Sequence, residues 1–259
     1  MNTTLRQFQL EELAMLKAMA ACLEEAGVPF YLLGGSCIGA LRHRGFIPWD
    51  DDVDIAILRR DFDAAEAALT RLQEPLLYDP VEHHRVPDGP LGHIYTTAWP
   101  LEQSPRIDVF AIDHVPDSRF GRRCQKLWAN VYHVCVLRRP AANRGRMMRL
   151  LTALICKCPA RLLDAMQRRA YKGITKWNGR DTTYVSNLFG VRGEKERVPA
   201  AYYGTPRFVP FEDTVMPIPE KAEDYMTHVY GDYMTLPPEH QRVPEHFTCL
   251  QSEYSEIKQ

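Results

Sequence analysis

Residues 33–55 read LGGSCIGALRHRGFIPWDDDVDI, and this stretch decides the fold. The apolar residues 30–33 predict a short buried strand, which the two following glycines end. Ser36 is placed to cap a helix that runs to about His43. Residues 53–58, with the sequence VDIAIL, alternate in part and predict a second strand. The stretch therefore predicts a strand, a turn, a helix, a loop and a strand, in that order.

Two aspartates, Asp52 and Asp54, lie two positions apart at the second strand. Because side chains alternate between the faces of a strand, both project from one face, roughly 6–7 Å apart. Carboxylates this close repel each other unless a positive charge lies between them, and oxygen ligands suit Mg²⁺ or Mn²⁺. The alternative is a solvated acidic turn. Val53, Ile55 and Ile57 favour the metal site, because they bury the opposite face of the strand.

A third carboxylate and a glycine turn fit the same site. The apolar run around Asp108 predicts a strand on which Asp108 can join the face that carries Asp52 and Asp54. Asp113 is expected to cap the turn that follows this strand. The Gly-Gly-Ser turn at 34–36 offers backbone N–H groups and a hydroxyl to a phosphate. By itself this turn is a weak signal, but together with an Asp-x-Asp strand it resembles the nucleotidyltransferase superfamily.

The rest of the chain divides by its hydrophobic periodicity. Residues 5–26 predict an amphipathic helix whose exposed side carries Glu11, Glu12, Glu24 and Glu25. The pattern predicts further helices at 61–73 and 220–230, and further strands at 76–78, 91–97 and 106–112. From 119 to 178 it predicts helical structure that is interrupted at Pro140 and Pro159. After Arg180 the chain otherwise reads as irregular and rich in proline.

These elements predict an α+β fold, with a nucleotidyltransferase-like mixed sheet, flanking helices and a basic helical lobe. Residues 1–118 are expected to form the nucleotidyltransferase-like catalytic core, and residues 119–180 the basic helical lobe. Residues 181–259 are expected to pack back on the core.

The net charge of the 259 residues, -1, conceals two opposed segments. Residues 119–180 contain sixteen Lys and Arg residues and a single acid, Asp164, so this segment carries +15 and the remainder -16. Within it, residues 144–172 combine cations with an apolar run, which is typical of a helix at an anionic membrane surface. An anionic acceptor is a second interpretation. The third is a helical lobe with an apolar stripe packed on the catalytic domain and a solvated basic face.

Cysteine usage and the N-terminus indicate a cytoplasmic protein. The seven cysteines are scattered and form no CxxC pair, so we expect reduced, structural thiols. The first residues contain no basic region followed by an apolar run, and no apolar stretch approaches the ~20 residues that span a bilayer. We expect a cytoplasmic protein, with peripheral contact at the inner face of the membrane if the basic segment binds lipid.

The residues between the turn and the aspartates are specific enough to indicate a family. The block 33–55 resembles the LicD family of phosphotransferases, and two further family blocks follow in order, RIDVFAID at 106–113 and YGDYMTLPP at 230–238. The resemblance implies transfer of an alcohol phosphate, phosphocholine first, from a CDP-alcohol donor such as CDP-choline. The acceptor would be a hydroxyl of a cell-surface glycan, such as teichoic acid or lipopolysaccharide, or of its lipid-linked precursor, with release of CMP.

The resemblance also implies roles for individual residues. Asp52 and Asp54 would hold Mg²⁺ or Mn²⁺, and Asp108 would complete the metal site or accept the proton of the attacking hydroxyl. Gly35 and Ser36 would bind the donor phosphate. The remaining substrate-binding candidates are Arg42, His43 and Arg44 at the diphosphate or cytidine, Trp49 at a choline head group, and His240, Arg242 and His246 at the donor phosphates.

Several of these candidates have structural alternatives. Arg42 and Arg44 also suit the C-terminal end of a helix, where cations complement the dipole. Trp49 also suits core packing, and the His/Arg cluster at 240–246 also suits a solvated loop.

Two competing functions remain open at this point. One is a nucleotidyltransferase that passes NMP from an NTP to a small acceptor and releases pyrophosphate. The other is a non-catalytic adaptor that binds an anionic membrane through the basic segment, although it would not need paired acids beside a Gly-Gly-Ser turn. We expect no nucleic-acid partner.

Overall fold

The computed structural model describes residues 4–80, 92–100, 103–138, 152–153, 155–180, 182–188 and 193–244. The chain divides into two compact units. The first contains the residues up to 79, residues 92–111 and the residues from 201 onward, and the second contains the residues between, mainly 112–200. The division predicted from the sequence places its boundaries at 118 and 180, inside the second unit, and it stays a prediction.

Helices and strands alternate along the first 79 residues of the chain. The α-helices are α1 (Leu5–Glu25), α2 (Gly34–His43), α3 (Arg59–Leu69), α4 (Arg119–Leu137), α5 (Ala160–Thr175) and α6 (Ala222–Tyr230). The strands are β1 (Tyr31–Leu32), β2 (Val53–Leu58), β3 (Leu76–Asp79), β4 (Gly92–Thr96), β5 (Arg106–Val115), β6 (Tyr184–Asn187), β7 (Arg197–Pro199), β8 (Arg207–Phe211) and β9 (Thr214–Ile218). The predicted α+β fold class is confirmed.

The sheet of the first unit places β2 and β5 side by side at its centre. Its strand order is β1-β2-β5-β4-β3. Leu32 of β1 pairs with Ile55 of β2, and His93 of β4 pairs with Asp108 of β5, both in antiparallel register. In the second unit, the last residues of β5 pair with β6, which pairs with β7. The predicted acidic positions on β2 and β5 therefore belong to neighbouring strands.

The N-terminal helix α1 begins and ends as its sequence predicts. The Thr4 hydroxyl accepts a hydrogen bond from the Gln7 N–H, and the Gln7 side chain accepts one from the Thr4 N–H, a reciprocal capping box. The helix ends before Gly27, whose φ of +66° is readily adopted only by glycine. Its buried face consists mainly of apolar side chains, among them Leu16, Met19 and Leu23.

The chain after residue 180 is more regular than predicted. It contains β6 to β9 where the proline content indicated irregular structure. β8 and β9 form a two-stranded sheet in which Phe208 pairs with Pro217 and Pro210 with Val215. Each strand of a two-stranded sheet has a free edge, where a proline loses no ladder hydrogen bond. The prolines therefore mark edge strands here, and the prediction of irregular structure was wrong for these residues.

In the second unit, α4 and α5 pack together around a small apolar cluster of Ala129, Tyr132, Ala170 and Ile174. The basic side chains Arg161, Arg168, Arg169 and Lys172 are exposed on α5. Residues 144–151 of the predicted membrane-contact segment lie outside the described residues. Within the ranges that the structure covers, no helix is long and apolar enough to cross a bilayer.

An ion pair joins α1 to the turn between β8 and β9. Arg6 donates to both carboxylate oxygens of Glu212, which also accepts a hydrogen bond of 3.0 Å from the Phe46 N–H. The hydrogen bond from Arg6 is the main reason why the pKa of Glu212 lies below its ordinary value. Because folding lowers this pKa, the ion pair stabilises the protein at pH values above the ordinary pKa of the group. The stabilisation is lost as the pH falls through the pKa that the group has in the folded protein.

Replacing Glu212 with Gln should therefore lower the free energy of unfolding by about 1–2 kcal/mol at neutral pH. The difference from wild type should shrink as the pH is lowered below 4.5, the ordinary pKa of the group. Urea unfolding at several pH values measures both quantities. Asp213→Asn is the control, because Asp213 pairs with Lys17 at the exposed surface and should contribute less. A pH-independent difference between Glu212→Gln and wild type would contradict the assigned ionic contribution.

Candidate active site at the glycine turn and acidic loop

The start of α2 lies directly against two carboxylates. Gly34 has a φ of +53°, and a Cβ atom there would lie 2.5 Å from Asp54 Oδ2. A Cβ atom on Gly35 would lie 2.6 Å from Asp50 Oδ2. Real Cβ contacts are longer than this, so a Cβ atom at either position would force the neighbouring carboxylate to shift. The glycine turn at residues 34–36 is therefore in direct contact with the aspartate-rich residues 50–54, which we call the acidic loop. Gly35, predicted to bind phosphate, is part of this contact.

Ser36 links α2 to β2. Its hydroxyl oxygen accepts a hydrogen bond of 3.0 Å from the Asp54 N–H, and the side chain is buried. The predicted capping role is wrong, because α2 begins at Gly34 and Leu33 occupies the N-cap position without a side-chain bond. The glycines at positions 34 and 35 allow the helix to start two residues before Ser36. The predicted role of Ser36 at a phosphate stays a prediction.

The aspartates of β2 lie opposite an apolar face, as predicted. Val53, Ile55 and Ile57 are fully buried, whereas Asp52 and Asp54 are partly exposed. Asp52 lies immediately before the first residue of β2. The alternation therefore directs two carboxylates away from the core, and it extends one residue beyond the strand.

Asp108 on β5 is held by a buried histidine that the sequence did not indicate. His93 lies opposite it on β4, and His93 Nδ1 is 2.7 Å from Asp108 Oδ1. The Arg106 Nε atom lies 3.7 Å from the same oxygen. These contacts fix the orientation of the Asp108 carboxylate, which is only partly exposed. A single histidine in an apolar strand carries no sequence signal of such a partnership.

Asp113, expected to cap a turn, is a buried residue within β5. Its Oδ1 accepts a hydrogen bond of 2.8 Å from the Asn178 side chain. The strand continues to Val115, three residues beyond the predicted end, so the prediction for Asp113 was wrong. Its carboxylate stabilises the second unit and belongs to no site predicted here.

Glu12 was predicted on the exposed side of α1, and it is fully buried. Both of its carboxylate oxygens lack a hydrogen-bond partner. Burial raises the pKa of Glu12 well above its ordinary value, and the neighbouring carboxylates, Asp52 first and then Asp50, Asp51 and Asp108, raise it further. The sequence misses Glu12 because the tertiary structure, which brings the acidic loop onto α1, decides its burial.

The donor chemistry of the acidic loop fits a divalent cation. Among the described residues, no three or more His, Cys, Asp or Glu side chains are grouped so that they could hold a metal by themselves. Mg²⁺ commonly takes one or two carboxylates together with substrate phosphates and water. Asp52 and Asp54 can supply the carboxylates. Glu12, on whose carboxyl group the charge of Asp52 acts, adds two buried acceptor oxygens. A Mg²⁺ or Mn²⁺ site here stays a proposal.

A cluster of cations and an aromatic ring lies next to the acidic loop. The Arg242 guanidinium carbon is 5.6 Å from the centre of the Trp49 ring, and the His43 ring contacts the same indole edge-to-face at 6.3 Å. Arg42 donates to His43 Nε2 at 2.9 Å and to the Tyr233 carbonyl at 2.5 Å. The structure therefore brings together four of the predicted substrate-binding residues, Arg42, His43, Trp49 and Arg242.

Electrostatics within this cluster favour an anionic ligand. The pKa of Arg42 is lowered, first by burial and then by the positive charge of Arg242, while Asp50 acts in the opposite direction. Burial and the charge of Arg42 also lower the pKa of His43. Two guanidinium groups that repel each other are stabilised when an anion binds between or beside them.

The other predicted substrate-binding residues lie apart from these contacts. Arg44 is exposed and ends α2 in a left-handed conformation with φ +57°, and its carbonyl accepts a hydrogen bond from the Glu212 N–H. His240 is exposed in a short 3₁₀ helix, Glu239–Gln241. His246 lies outside the described residues. The roles of these three residues in donor binding stay predictions.

One family of known proteins matches a continuous part of the chain. Residues 27–133, which carry the glycine turn, the acidic loop and Asp108, match the family model described as LicD/FKTN/FKRP, nucleotidyltransferase domain. This part of the chain is similar to the nucleotidyltransferase domain of that family, in agreement with the α+β fold.

Several proteins with named activities are similar to the chain. The lipopolysaccharide cholinephosphotransferase LicD of Haemophilus influenzae is 25% identical over 276 residues, which cover 94% of this chain and 96% of that protein. The human ribitol 5-phosphate transferase FKRP is 33% identical over 111 residues, which cover 38% of this chain and 22% of FKRP. The mouse ribitol-5-phosphate transferase FKTN is 42% identical over 48 residues, 18% of this chain and 10% of FKTN. The bacterial relative thus matches almost end to end, and the mammalian relatives match over a small part of their length.

Proposed function

We propose that the protein is a metal-dependent phosphotransferase that moves an alcohol phosphate from a CDP-alcohol to a glycan hydroxyl and releases CMP. One observation carries this proposal: Asp50 joins a carboxylate site to a cationic one. Its carboxylate lies against Gly35 in the glycine turn, and its charge acts on Arg42 in the cation cluster. A nucleoside diphosphate bound to a cation needs both kinds of group side by side.

Each group of residues in the site would have a separate role in the reaction. Asp52 and Asp54 would hold Mg²⁺, which when bound would neutralise the diphosphate and stabilise CMP as the leaving group. Arg42 and Arg242 would bind the diphosphate oxygens. The oxygen of the acceptor hydroxyl would form a bond to the outer phosphorus of the donor. Asp108, oriented by His93, would accept the proton that this hydroxyl loses. The bond between that phosphorus and the oxygen that bridges to CMP breaks, and CMP leaves.

The names of the relatives support an alcohol phosphate as the transferred group. One is a cholinephosphotransferase and others are ribitol phosphate transferases. Because the match to the cholinephosphotransferase covers almost the whole chain, we favour phosphocholine from CDP-choline. Arg242 covers one face of Trp49, so a choline head group at this residue would have to contact the other face.

The acceptor we propose is a cell-surface glycan such as lipopolysaccharide or teichoic acid, or its lipid-linked precursor, in the cytoplasm. The exposed cations of α5 are available to an anionic membrane or acceptor. A vesicle-binding assay that compares anionic with neutral lipid separates membrane contact from acceptor binding.

A screen for CMP release tests the proposed function. The purified protein is incubated with Mg²⁺ and CDP-choline, CDP-ribitol, CDP-glycerol or CDP-ethanolamine, each with and without candidate glycans. We expect acceptor-dependent CMP from one donor, CDP-choline first. Parallel incubations contain an NTP in place of the CDP-alcohol. Release of pyrophosphate from the NTP, with no CMP from any CDP-alcohol, would identify the nucleotidyltransferase alternative, and neither product would favour the adaptor.

Removing the Arg42 side chain should weaken donor binding. Loss of a charged hydrogen-bonding group is worth about 1.5–3 kcal/mol, so Arg42→Ala should raise KM for the donor by about 10- to 100-fold. Arg242→Ala should act in the same direction. Initial rates of CMP release against donor concentration measure KM. Arg60→Ala is the control, because Arg60 is exposed on α3 and pairs with its neighbour Asp61. A donor KM that stays at the wild-type value in Arg42→Ala would remove the cation cluster from the donor site.

A further inference from the structure

Glu12 occupies a position that packing alone does not explain. It is fully buried on α1, a helix whose buried face is otherwise mostly apolar. Both carboxylate oxygens lie away from solvent without a hydrogen-bond partner. Burying a carboxyl group in this way is unfavourable, and an apolar side chain of similar size would pack there at lower free energy. The presence of a carboxylate at this point needs a ligand or a partner that it can bind.

The face of α1 that carries Glu12 is fixed on the acidic loop. Gln9, one helical turn earlier, donates to the Ile47 carbonyl at 3.1 Å and to the Asp50 carbonyl at 2.8 Å. Arg6 in turn donates to the Gln9 side-chain oxygen at 3.2 Å. These hydrogen bonds hold the helix against the residues that lead into the aspartates. Glu12, three positions after Gln9, lies on the same face of the helix and is directed at that loop.

The charges that surround Glu12 are negative. Asp52, Asp50, Asp51 and Asp108 all act on its carboxyl group, and all four disfavour its ionised form. Two of them, Asp52 and Asp108, are the residues proposed for the cation and for the acceptor proton. Carboxylates that converge in this way require a positive charge among them if they are all to be ionised.

The geometry points to Glu12 as a binding residue of the divalent-cation site, contributed by α1 in addition to the carboxylates of Asp52 and Asp54. This inference deepens the proposed function and rests on it. Mg²⁺ and Mn²⁺ prefer oxygen ligands and usually retain water, so a buried carboxylate serves either as a ligand or as an acceptor for bound water. The two oxygens of Glu12 without partners are acceptors of that kind. The N-terminal helix therefore supports the cation site as well as the core.

Binding of Mn²⁺ to three forms of the protein tests the inference. Titration calorimetry compares wild type, Glu12→Gln and Glu11→Gln, each with and without CDP, and thermal unfolding is followed with and without Mn²⁺. Glu11 is the matched control, because it is the neighbouring glutamate on the same helix and is exposed. We expect Glu12→Gln to weaken Mn²⁺ binding by about tenfold or more and to reduce the rise in Tm that Mn²⁺ causes, without lowering the Tm of the cation-free protein. Glu11→Gln should match wild type.

Each other outcome overturns the inference. Wild-type Mn²⁺ affinity in Glu12→Gln, or a lower cation-free Tm with an unchanged Mn²⁺-induced rise, would make Glu12 a structural residue and leave the proposed function intact. If Glu12→Gln does not fold, Glu12→Asp keeps the charge and shortens the side chain, and unchanged affinity in that variant has the same meaning. Wild type that binds no Mn²⁺, even with CDP, would remove the cation from the proposed function as well.

Discussion

Replacing Asp52 with Asn should lower the rate of CMP release by about 10³-fold at saturating donor and Mg²⁺. This is the loss expected when roughly 4 kcal/mol of transition-state charge stabilisation is removed. Asn keeps the shape of the side chain but not the charge, and it cannot compensate a divalent cation. Asp52 is partly exposed and precedes β2, so the substitution should leave the fold unchanged. Initial rates of CMP release at saturating donor and Mg²⁺ measure the effect, and circular dichroism checks the fold.

The control for this variant is Asp63→Asn, an exposed aspartate on α3 that should retain wild-type activity. Mn²⁺ binding by titration calorimetry adds a second readout, and we expect weaker binding by Asp52→Asn alone. If Asp52→Asn released CMP at the wild-type rate, the metal site would not lie at the start of β2. A fall in rate with unchanged Mn²⁺ binding would assign Asp52 to the substrate and not to the cation.

Local sequence patterns predicted the centre of the fold well. The limits of β2 at residues 53 and 58 and the end of α2 at His43 agree with the sequence, because alternation and glycine turns are local signals. The same holds for the end of α1, which Gly27 marks. These elements decide where the aspartates lie, so the part of the site on β2 could be read from the sequence.

Residues whose environment depends on distant parts of the chain could not be predicted. Glu12 looks like any exposed glutamate of an amphipathic helix until the acidic loop packs on it. His93 acquires its partner through the pairing of β4 with β5. Arg242 lies about two hundred residues from Arg42, and only the fold brings their charges close enough to interact. Each of these contacts joins residues that are distant in the sequence, and the hydrophobic periodicity of one sequence does not predict such contacts.

Replacing Gly34 with Ala should reduce both stability and activity, because two separate penalties meet at this residue. At φ +53°, an L-residue with a Cβ atom costs about 1–2 kcal/mol of folding free energy. The added Cβ atom would also lie 2.5 Å from Asp54 Oδ2, so the carboxylate has to move. A displacement of about 1 Å of a group that holds a reacting complex can lower the rate by about 10²-fold. Urea unfolding measures the first effect and CMP release the second.

Gly27 provides a matched control that separates the two penalties. Its φ of +66° imposes similar backbone strain on Ala, but a Cβ atom there would have no neighbour within 4 Å. Gly27→Ala should therefore lose about 1–2 kcal/mol of stability while its rate of CMP release stays at the wild-type value. Only Gly34→Ala should also weaken Mn²⁺ binding, because it alone displaces Asp54. If both variants lost activity in proportion to stability, or if Gly34→Ala kept the wild-type rate, the position of Asp54 against the glycine turn would not matter for the reaction, and the cation would have to bind elsewhere.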